Sequence, residues 1–187
     1  MHILGFGPCH HMDEVLPSPE QRALWQGVLT GGHADWARIF SGYRAQIDWP
    51  GANFWRELAI AYPQATVIHS VRPEESWWKS YISTIGKLMA EFREMPLPSE
   101  ISALMENLRS MVEKTFGSTV DDKAAGLAAY RRRGDQVRAT IAPERLIVFD
   151  VAQGWEPLCS HLGVRIPDQP FPRLNSTDDF WAGLQSR

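Results

Sequence analysis

The alternation of apolar and polar residues predicts a mostly helical chain with two strands. Residues 66–71 form a short β-branched run between Pro63 and Pro73, which is typical of a strand. A second apolar run, RLIVFDV at 145–151, follows Pro143 and predicts the other strand. Because a helical pattern follows each strand, the sequence favours an α/β domain with a parallel sheet.

Most other apolar residues recur at helical spacing. In the clearest helix, apolar and aromatic residues occupy one face from Glu74 to Phe92, and polar residues occupy the other. Ser18 and Asp35 can cap two earlier helices, and Gly163 can end a late one. The predicted helices cover residues 18–30, 35–47, 53–62, 74–92, 99–115, 121–141 and 156–163, with a short last helix capped at 175–177.

Two strands do not form a stable sheet by themselves. A further strand is therefore expected, either in a weak segment such as the first few residues or outside this chain. No repeat, low-complexity tract or long linker divides the sequence, and 187 residues are enough for one hydrophobic core. We predict a single domain over residues 1–187.

Composition and charge narrow the classes of function. Hydrophobic residues make up 44% of the chain and charged residues 22%, as in ordinary globular proteins. The net charge of -3 gives no reason to expect nucleic acid or an anionic membrane as a partner. No apolar run is long enough to cross a bilayer, and the start MHILGFGPCHHM does not resemble a signal peptide. We therefore predict a cytoplasmic protein.

Arg72 and the serines after it predict a candidate anion site. Arg72 ends the first strand, and Ser76 and Ser80 follow at intervals of four residues, on one face of the next helix. Ligands of parallel sheets bind at the carboxyl ends of strands, and a guanidinium with hydroxyl donors suits a phosphate. From the spacing alone, an ion pair of Arg72 with Glu74 or Glu75 is the simpler interpretation.

The segment from Val71-Arg72-Pro73 to Ser80 resembles the 3′-phosphate-binding segment of sulfotransferases that use 3′-phosphoadenosine 5′-phosphosulfate (PAPS). In that family, an arginine at a strand end and a serine eight residues later hold the 3′-phosphate. Arg72 and Ser80 have this spacing. Further blocks similar to P-loop-fold sulfotransferases cover residues 5–12, 14–15, 42–44, 48–50, 54–58, 62–63, 146–151, 154–159 and 171–175.

This resemblance implies a fold and a ligand. The fold is a P-loop NTPase-like three-layer α/β fold with a small parallel sheet and many helices. The ligand is PAPS or its product adenosine 3′,5′-bisphosphate (PAP), bound by Arg72 and Ser80 without a metal. The helix-face argument adds Ser76 as a third binding residue. The implied reaction transfers the sulfuryl group to a hydroxyl or amine of a small-molecule acceptor.

Such a transfer needs a base near the acceptor hydroxyl. His11 and Asp48 lie in family-like blocks before the first predicted strand, where such folds build acceptor pockets, and we predict them as candidate catalytic residues. The alternatives are a turn role for Asp48 and a packed or solvent-facing imidazole for His11. The weaker candidates for the base are His10, Asp13 and Glu14.

Two other basic features are predicted to be structural. His69 lies within the first strand and is expected in the core. Arg131-Arg132-Arg133 is expected to be a solvated helix face. This run superficially resembles the RKG element of cytosolic sulfotransferases, but that element follows the last strand and this run precedes it.

Family members begin with a strand and a glycine-rich phosphate loop similar to GxGRTGT, and this chain has neither. Gly5-Phe6-Gly7 has no Lys, Ser or Thr beside it and precedes a proline, so it is not a phosphate loop. We expect an N-terminally truncated domain, through a start placed too late or, less favoured, as a non-catalytic remnant that serves in binding or interaction. The exposed apolar sheet edge would favour a homodimer or aggregation. A nucleotide hydrolase or kinase has less support, because the chain has no Walker lysine loop.

Overall fold

The computed structural model describes residues 1–117, 119–172 and 176–185. Over these residues the fold is mixed α/β, with many helices and short strands that pair in small parallel sheets, which confirms the predicted fold class. No helix in the described part of the chain is long and apolar enough to cross a membrane. The chain divides into two compact units, Met1–Val67 with Leu97–Met111 and Ile68–Pro96 with Val112–Arg187.

The first unit contains a sheet of two very short strands and several short helices. Strand β1 (Cys9–His10) pairs in parallel with β2 (Ala45–Gln46). Trp25, Ile39 and Val15 are fully buried in its core. The helices are α1 (Met12–Val15), α2 (Pro19–Leu29), α3 (Trp36–Ile39) and α4 (Trp55–Ala61), with 3-10 turns at His2–Leu4 and Gly51–Phe54.

One predicted helix of this unit is wrong over most of its length. Asp35 caps α3 as expected, with its carboxylate accepting from the Arg38 backbone N–H, but the helix ends after Ile39. Gly42 then turns the chain with a φ of +83°, and residues 45–46 become strand β2. Helical periodicity could not show this, because the strand exists only through its pairing with β1.

The second unit contains a second two-stranded sheet. Strand β3 (Val67–Val71) pairs with β4 (Leu146–Asp150). Both strands lie where the β-branched runs predicted them. Along the chain after β3 come α5 (Glu74–Tyr81), α6 (Lys87–Glu91), α7 (Ser99–Phe116), α8 (Lys123–Thr140), α9 (Trp155–Leu162) and α10 (Thr177–Gln185), with 3-10 turns at Phe92–Glu94, Pro143–Arg145 and Val151–Gln153. Most of α7 belongs to the first unit, and the other five helices belong to the second.

The helix predicted over 74–92 is interrupted by a π-helical segment, Ile82–Gly86, between α5 and α6. Within it, the Ser83 carbonyl accepts a hydrogen bond from Trp181 Nε1 at 3.0 Å, and Ser83 Oγ lies 3.2 Å from Thr177 Oγ1. The π segment therefore carries the contacts of α10. Single π turns inside α-helices are frequent at functional sites, and the apolar period of the sequence does not reveal this one.

A reciprocal pair of hydrogen bonds caps the last helix. The Asp179 backbone N–H donates to Ser176 Oγ at 3.1 Å, and the Ser176 backbone N–H donates to Asp179 Oδ2 at 2.9 Å. This capping box satisfies two backbone donors at the start of α10. Of the predicted cap at 175–177, Asn175 lies outside the described residues, as do Arg173 and Leu174 of the family-like block at 171–175.

Gly126 allows α8 to approach the buried Trp78 of α5. A Cβ at residue 126 would lie 2.6 Å from the Trp78 ring. We expect Gly126→Ala to lower the free energy of unfolding by about 1–3 kcal/mol through overpacking, measured by urea denaturation. The matched control is Gly27→Ala in α2, where a Cβ meets no atom within 4 Å and helix propensity predicts a gain of about 0.5–1 kcal/mol. Equal stability of the two variants would contradict this packing argument.

Candidate functional site

The end of strand β3 is held by a tyrosine of α8. The Arg72 backbone N–H donates to the Tyr130 hydroxyl at 3.1 Å, and that hydroxyl donates to the Arg72 carbonyl at 2.9 Å. The Tyr130 ring stacks on Trp77 of α5, with ring centroids 4.7 Å apart. The backbone of Arg72 is thus fixed from both neighbouring helices, and its side chain takes no part in these contacts.

Both carboxylates that follow Arg72 are paired with cations of α8. Glu74 Oε2 lies 2.6 Å from Arg131 Nη1, and Glu75 Oε2 lies 2.8 Å from Lys123 Nζ. In the described part of the chain, the Arg72 guanidinium makes no ion pair or hydrogen bond. The simpler interpretation of Arg72, a local ion pair with Glu74 or Glu75, is therefore not what the structure shows.

A cleft of about 340 Å³ opens at this strand end. Its volume is at the lower end of the range for small-molecule sites. Because Arg131 offsets Glu74, the remaining charges leave an excess of positive potential, which favours an anionic ligand. The charged residues that line the cleft are Arg72, Glu74, Arg131, Asp135 and Arg138.

The two predicted serine ligands lie on α5 and are not among the described residues that line this cleft. Ser76 is exposed and Ser80 is half-buried. The Ser80 carbonyl accepts hydrogen bonds from Ser83 Oγ at 3.1 Å and Thr84 Oγ1 at 2.7 Å, at the junction with the π segment. A shared contact of Arg72, Ser76 and Ser80 with one ligand stays a prediction.

Sequence reasoning missed the contribution of α8 to the cleft. His69 was expected in the core, but it is half-buried and lines the cleft. Arg131 is exposed, as expected of a solvated helix face, and it also pairs with Glu74 and lines the cleft. The available signal was spacing, since Tyr130, Gly134 and Arg138 recur every four residues and share one helix face.

The structure brings His11 and Asp48 together in the first unit. His11 caps α1, with its Nδ1 accepting from the Asp13 backbone N–H at 3.1 Å. Its Nε2 lies 3.4 Å from Asp48 Oδ2. Since Nδ1 is an acceptor, the neutral imidazole carries its proton on Nε2, towards Asp48. His11 therefore faces the Asp48 carboxylate through Nε2, and a catalytic role for either residue stays a prediction.

Asp48 has an unusual backbone conformation and a shifted pKa. Its backbone is in the left-handed region, with a φ of +70°, which is unusual outside glycine. Burial raises the pKa of its carboxyl, while the Trp49 backbone N–H and His11 act in the opposite direction. A carboxylate with a raised pKa is a stronger base. Asp48 also occupies the turn before Pro50, so a structural role exists beside the chemical one.

The weaker base candidates are engaged elsewhere. His10 is buried, with Nε2 3.1 Å from Gln21 Oε1, and burial lowers its pKa. The Glu14 carboxylate accepts a hydrogen bond from the Tyr43 hydroxyl at 3.0 Å. Across the residues that the structure describes, no group of three or more His, Cys, Asp or Glu side chains has an arrangement that could hold a metal.

Known proteins and protein families resemble this chain over nearly its whole length. The model of the family described as "Sulfotransferase domain" matches residues 1–180, a range that includes Arg72, His11 and Asp48. The chain is also similar to "Ava biosynthesis cluster protein M" of Aspergillus versicolor, with 28% identity over 193 residues that cover 94% of this chain and 74% of that protein. The family match spans far more than half of the chain, so the protein belongs to the sulfotransferase domain family.

Proposed function

We propose that this protein binds PAPS, or its product PAP, with the 3′-phosphate at Arg72. The observation that carries the proposal is the state of the Arg72 guanidinium. It lies at the carboxyl end of β3 and lines a cleft. The two glutamates nearest in sequence, Glu74 and Glu75, form ion pairs with residues of α8 and not with Arg72. A guanidinium offers two parallel donors whose geometry matches phosphate oxygens. Ser80, at the family spacing, and Ser76, one turn earlier on the same helix face, are proposed to add hydroxyl contacts from α5.

The proposed reaction is transfer of the sulfuryl group to a hydroxyl or amine of a small molecule. The acceptor oxygen or nitrogen attacks sulfur in line, the bond from sulfur to the phosphate oxygen breaks, and PAP leaves. The acceptor proton goes to the Asp48 carboxylate, which we assign as the base. His11 acts as a positioning residue, because its Nε2 faces Asp48 Oδ2 at 3.4 Å.

A nucleotide-binding protein without transfer activity is the second candidate. Transfer needs hydrogen-bond donors at the leaving phosphate oxygen, which glycine-rich phosphate loops supply through their backbone N–H groups. Residues 1–187 contain no such loop. Binding and transfer are therefore separate steps of the proposal and need separate measurements.

Calorimetric titration with PAP tests the binding step. We expect saturable one-site binding of PAP and binding of adenosine 5′-monophosphate (AMP) that is weaker by about 100-fold or more, because AMP lacks the charged 3′-phosphate and its hydrogen bonds. A folded chain that does not bind PAP would contradict the proposal.

The transfer step is tested by incubating the protein with PAPS and a panel of hydroxyl and amine acceptors. Mass spectrometry then follows the appearance of PAP together with a sulfated acceptor. Formation of both products in equal amounts supports the enzyme. Binding of PAP without either product supports the second candidate.

A further inference from the structure

Helix α8 brings a second unpaired cation to the cleft. Arg138 lines the same cleft as Arg72. Over the described residues, its guanidinium has no ion pair or hydrogen bond, whereas Arg131 on the same face is bound to Glu74. Asp135 also lines the cleft but is exposed and pairs with neither arginine. Two guanidinium groups, those of Arg72 and Arg138, thus remain available to a ligand.

A glycine of α8 makes room for this cation. A Cβ at residue 134 would lie 3.0 Å from Arg138 Nη1 and 3.4 Å from His69 Nε2. The tip of the guanidinium and the imidazole therefore approach the same point beside α8. Gly134 is buried, so the space left by its missing side chain is filled by these two groups and not by solvent.

The electrostatics at His69 indicate the sign of the charge that this part of the cleft accepts. Burial lowers the pKa of His69, and the neighbouring Arg138 and Arg133 lower it further. Burial and these two positive charges thus both disfavour the protonated imidazole. A bound anion would offset this positive potential, while a cation would add to it.

We propose that Arg138 is a second cationic contact for the phosphate that Arg72 binds, and that it gives the cleft its preference for a doubly charged phosphate monoester. The inference rests on the proposed function, because it concerns the same ligand. A phosphate monoester carries a charge of roughly -1.5 to -2 near neutral pH. Two free guanidinium groups match that charge, and an uncharged 3′-hydroxyl leaves both without a partner.

The test compares Arg138→Gln with Arg132→Gln in calorimetric titrations of the full chain. Arg132 belongs to the same helix, but its Nη2 donates to the Thr115 carbonyl at 3.4 Å and it is not among the cleft residues. We expect Arg138→Gln to weaken PAP binding about 10-fold, the loss of one charge-assisted contact. Its affinity for AMP should stay within about twofold of wild type, as should both affinities of Arg132→Gln. Arg138→Lys, which restores the charge, should recover most of the lost affinity.

A second variant separates binding from stability. Gly134→Ala displaces the flexible tip of Arg138 and should weaken PAP binding in the same direction as Arg138→Gln. Since alanine favours the helix over glycine, its melting temperature should be unchanged or higher. A residue with only a structural role would lose stability and affinity together.

The outcomes distinguish the inference from the proposed function. If Arg138→Gln binds PAP as wild type does while Arg72→Ala loses it, the inference is overturned and the proposed function stands. Equal losses for PAP and AMP in Arg138→Gln would also overturn it, because the preference for the phosphate monoester would not depend on Arg138. A folded wild-type chain that does not bind PAP would overturn both.

Discussion

Replacing Arg72 with alanine is expected to weaken PAP binding about 100-fold or more. The guanidinium is proposed to make two parallel charge-assisted hydrogen bonds to the 3′-phosphate, each worth about 1.5–3 kcal/mol. Truncation removes both bonds and leaves the phosphate with Arg138 and the proposed hydroxyl contacts of α5. Calorimetry with PAP measures the effect, and AMP, which has no 3′-phosphate, should show a much smaller change.

The fold should survive this substitution, which makes the experiment interpretable. Arg72 is joined to Tyr130 through its backbone N–H and carbonyl, and alanine keeps both groups. No ion pair of the described chain depends on the Arg72 side chain. Circular dichroism and the melting temperature should therefore match wild type.

Arg72→Lys is the matched variant for charge. Lysine keeps the positive charge but loses the planar fork, so we expect an intermediate affinity. Wild-type affinity in Arg72→Ala would show that the 3′-phosphate does not bind at this strand end. Wild-type affinity in Arg72→Lys alone would show that charge is sufficient and that fork geometry contributes little.

The second large effect is expected at Asp48. We predict that Asp48→Asn lowers the turnover number of sulfuryl transfer about 10²–10⁴-fold, the usual contribution of a general base. The affinity for PAP should not change, because the base acts on the acceptor. Rates of PAP release from PAPS, with a saturating acceptor, measure the first quantity, and calorimetry measures the second.

Asparagine is the suitable replacement because of the backbone at this position. Asp48 has a φ of +70°, and asparagine, like aspartate, enters the left-handed region more readily than other side chains. Asp48→Ala would add backbone strain of about 1–2 kcal/mol, so a loss of activity could come from misfolding as well as from the missing carboxylate.

Burial raises the pKa of Asp48, so its contribution to stability is present below the unfolded pKa and is lost as pH rises through the folded pKa. Removing the charge at neutral pH should therefore not destabilise the protein.

The pH dependence gives a further check on Asp48. The base must be ionised, so the rate should fall as pH drops through a pKa above the ordinary aspartate value of 3.8. This acid limb should disappear in Asp48→Asn. Asp13→Asn is the control, since Asp13 Oδ1 lies 3.4 Å from the other ring nitrogen of His11. Equal turnover of the two variants would exclude Asp48 as the base.

Several features followed from the sequence by itself because their causes are local. Ser18 starts α2 and Gly163 ends α9 through hydrogen bonds within a single turn. Strand β3 follows from β-branched residues between prolines, and Arg72 is placed at its end by the proline that comes next. The family was recognisable for the same reason, since its motifs are short stretches of sequence that follow one another in a fixed order along the chain.

The tertiary structure decided which charges are neutralised and where a ligand can enter. Glu74 pairs with Arg131, 57 positions away, although Arg72 is much nearer in sequence. Trp181 bonds to the π segment from 98 positions away. Strand β2 exists only through its pairing with β1. The free energies of such contacts depend on the distance in space between side chains, and a local pattern of residues carries no measure of that distance.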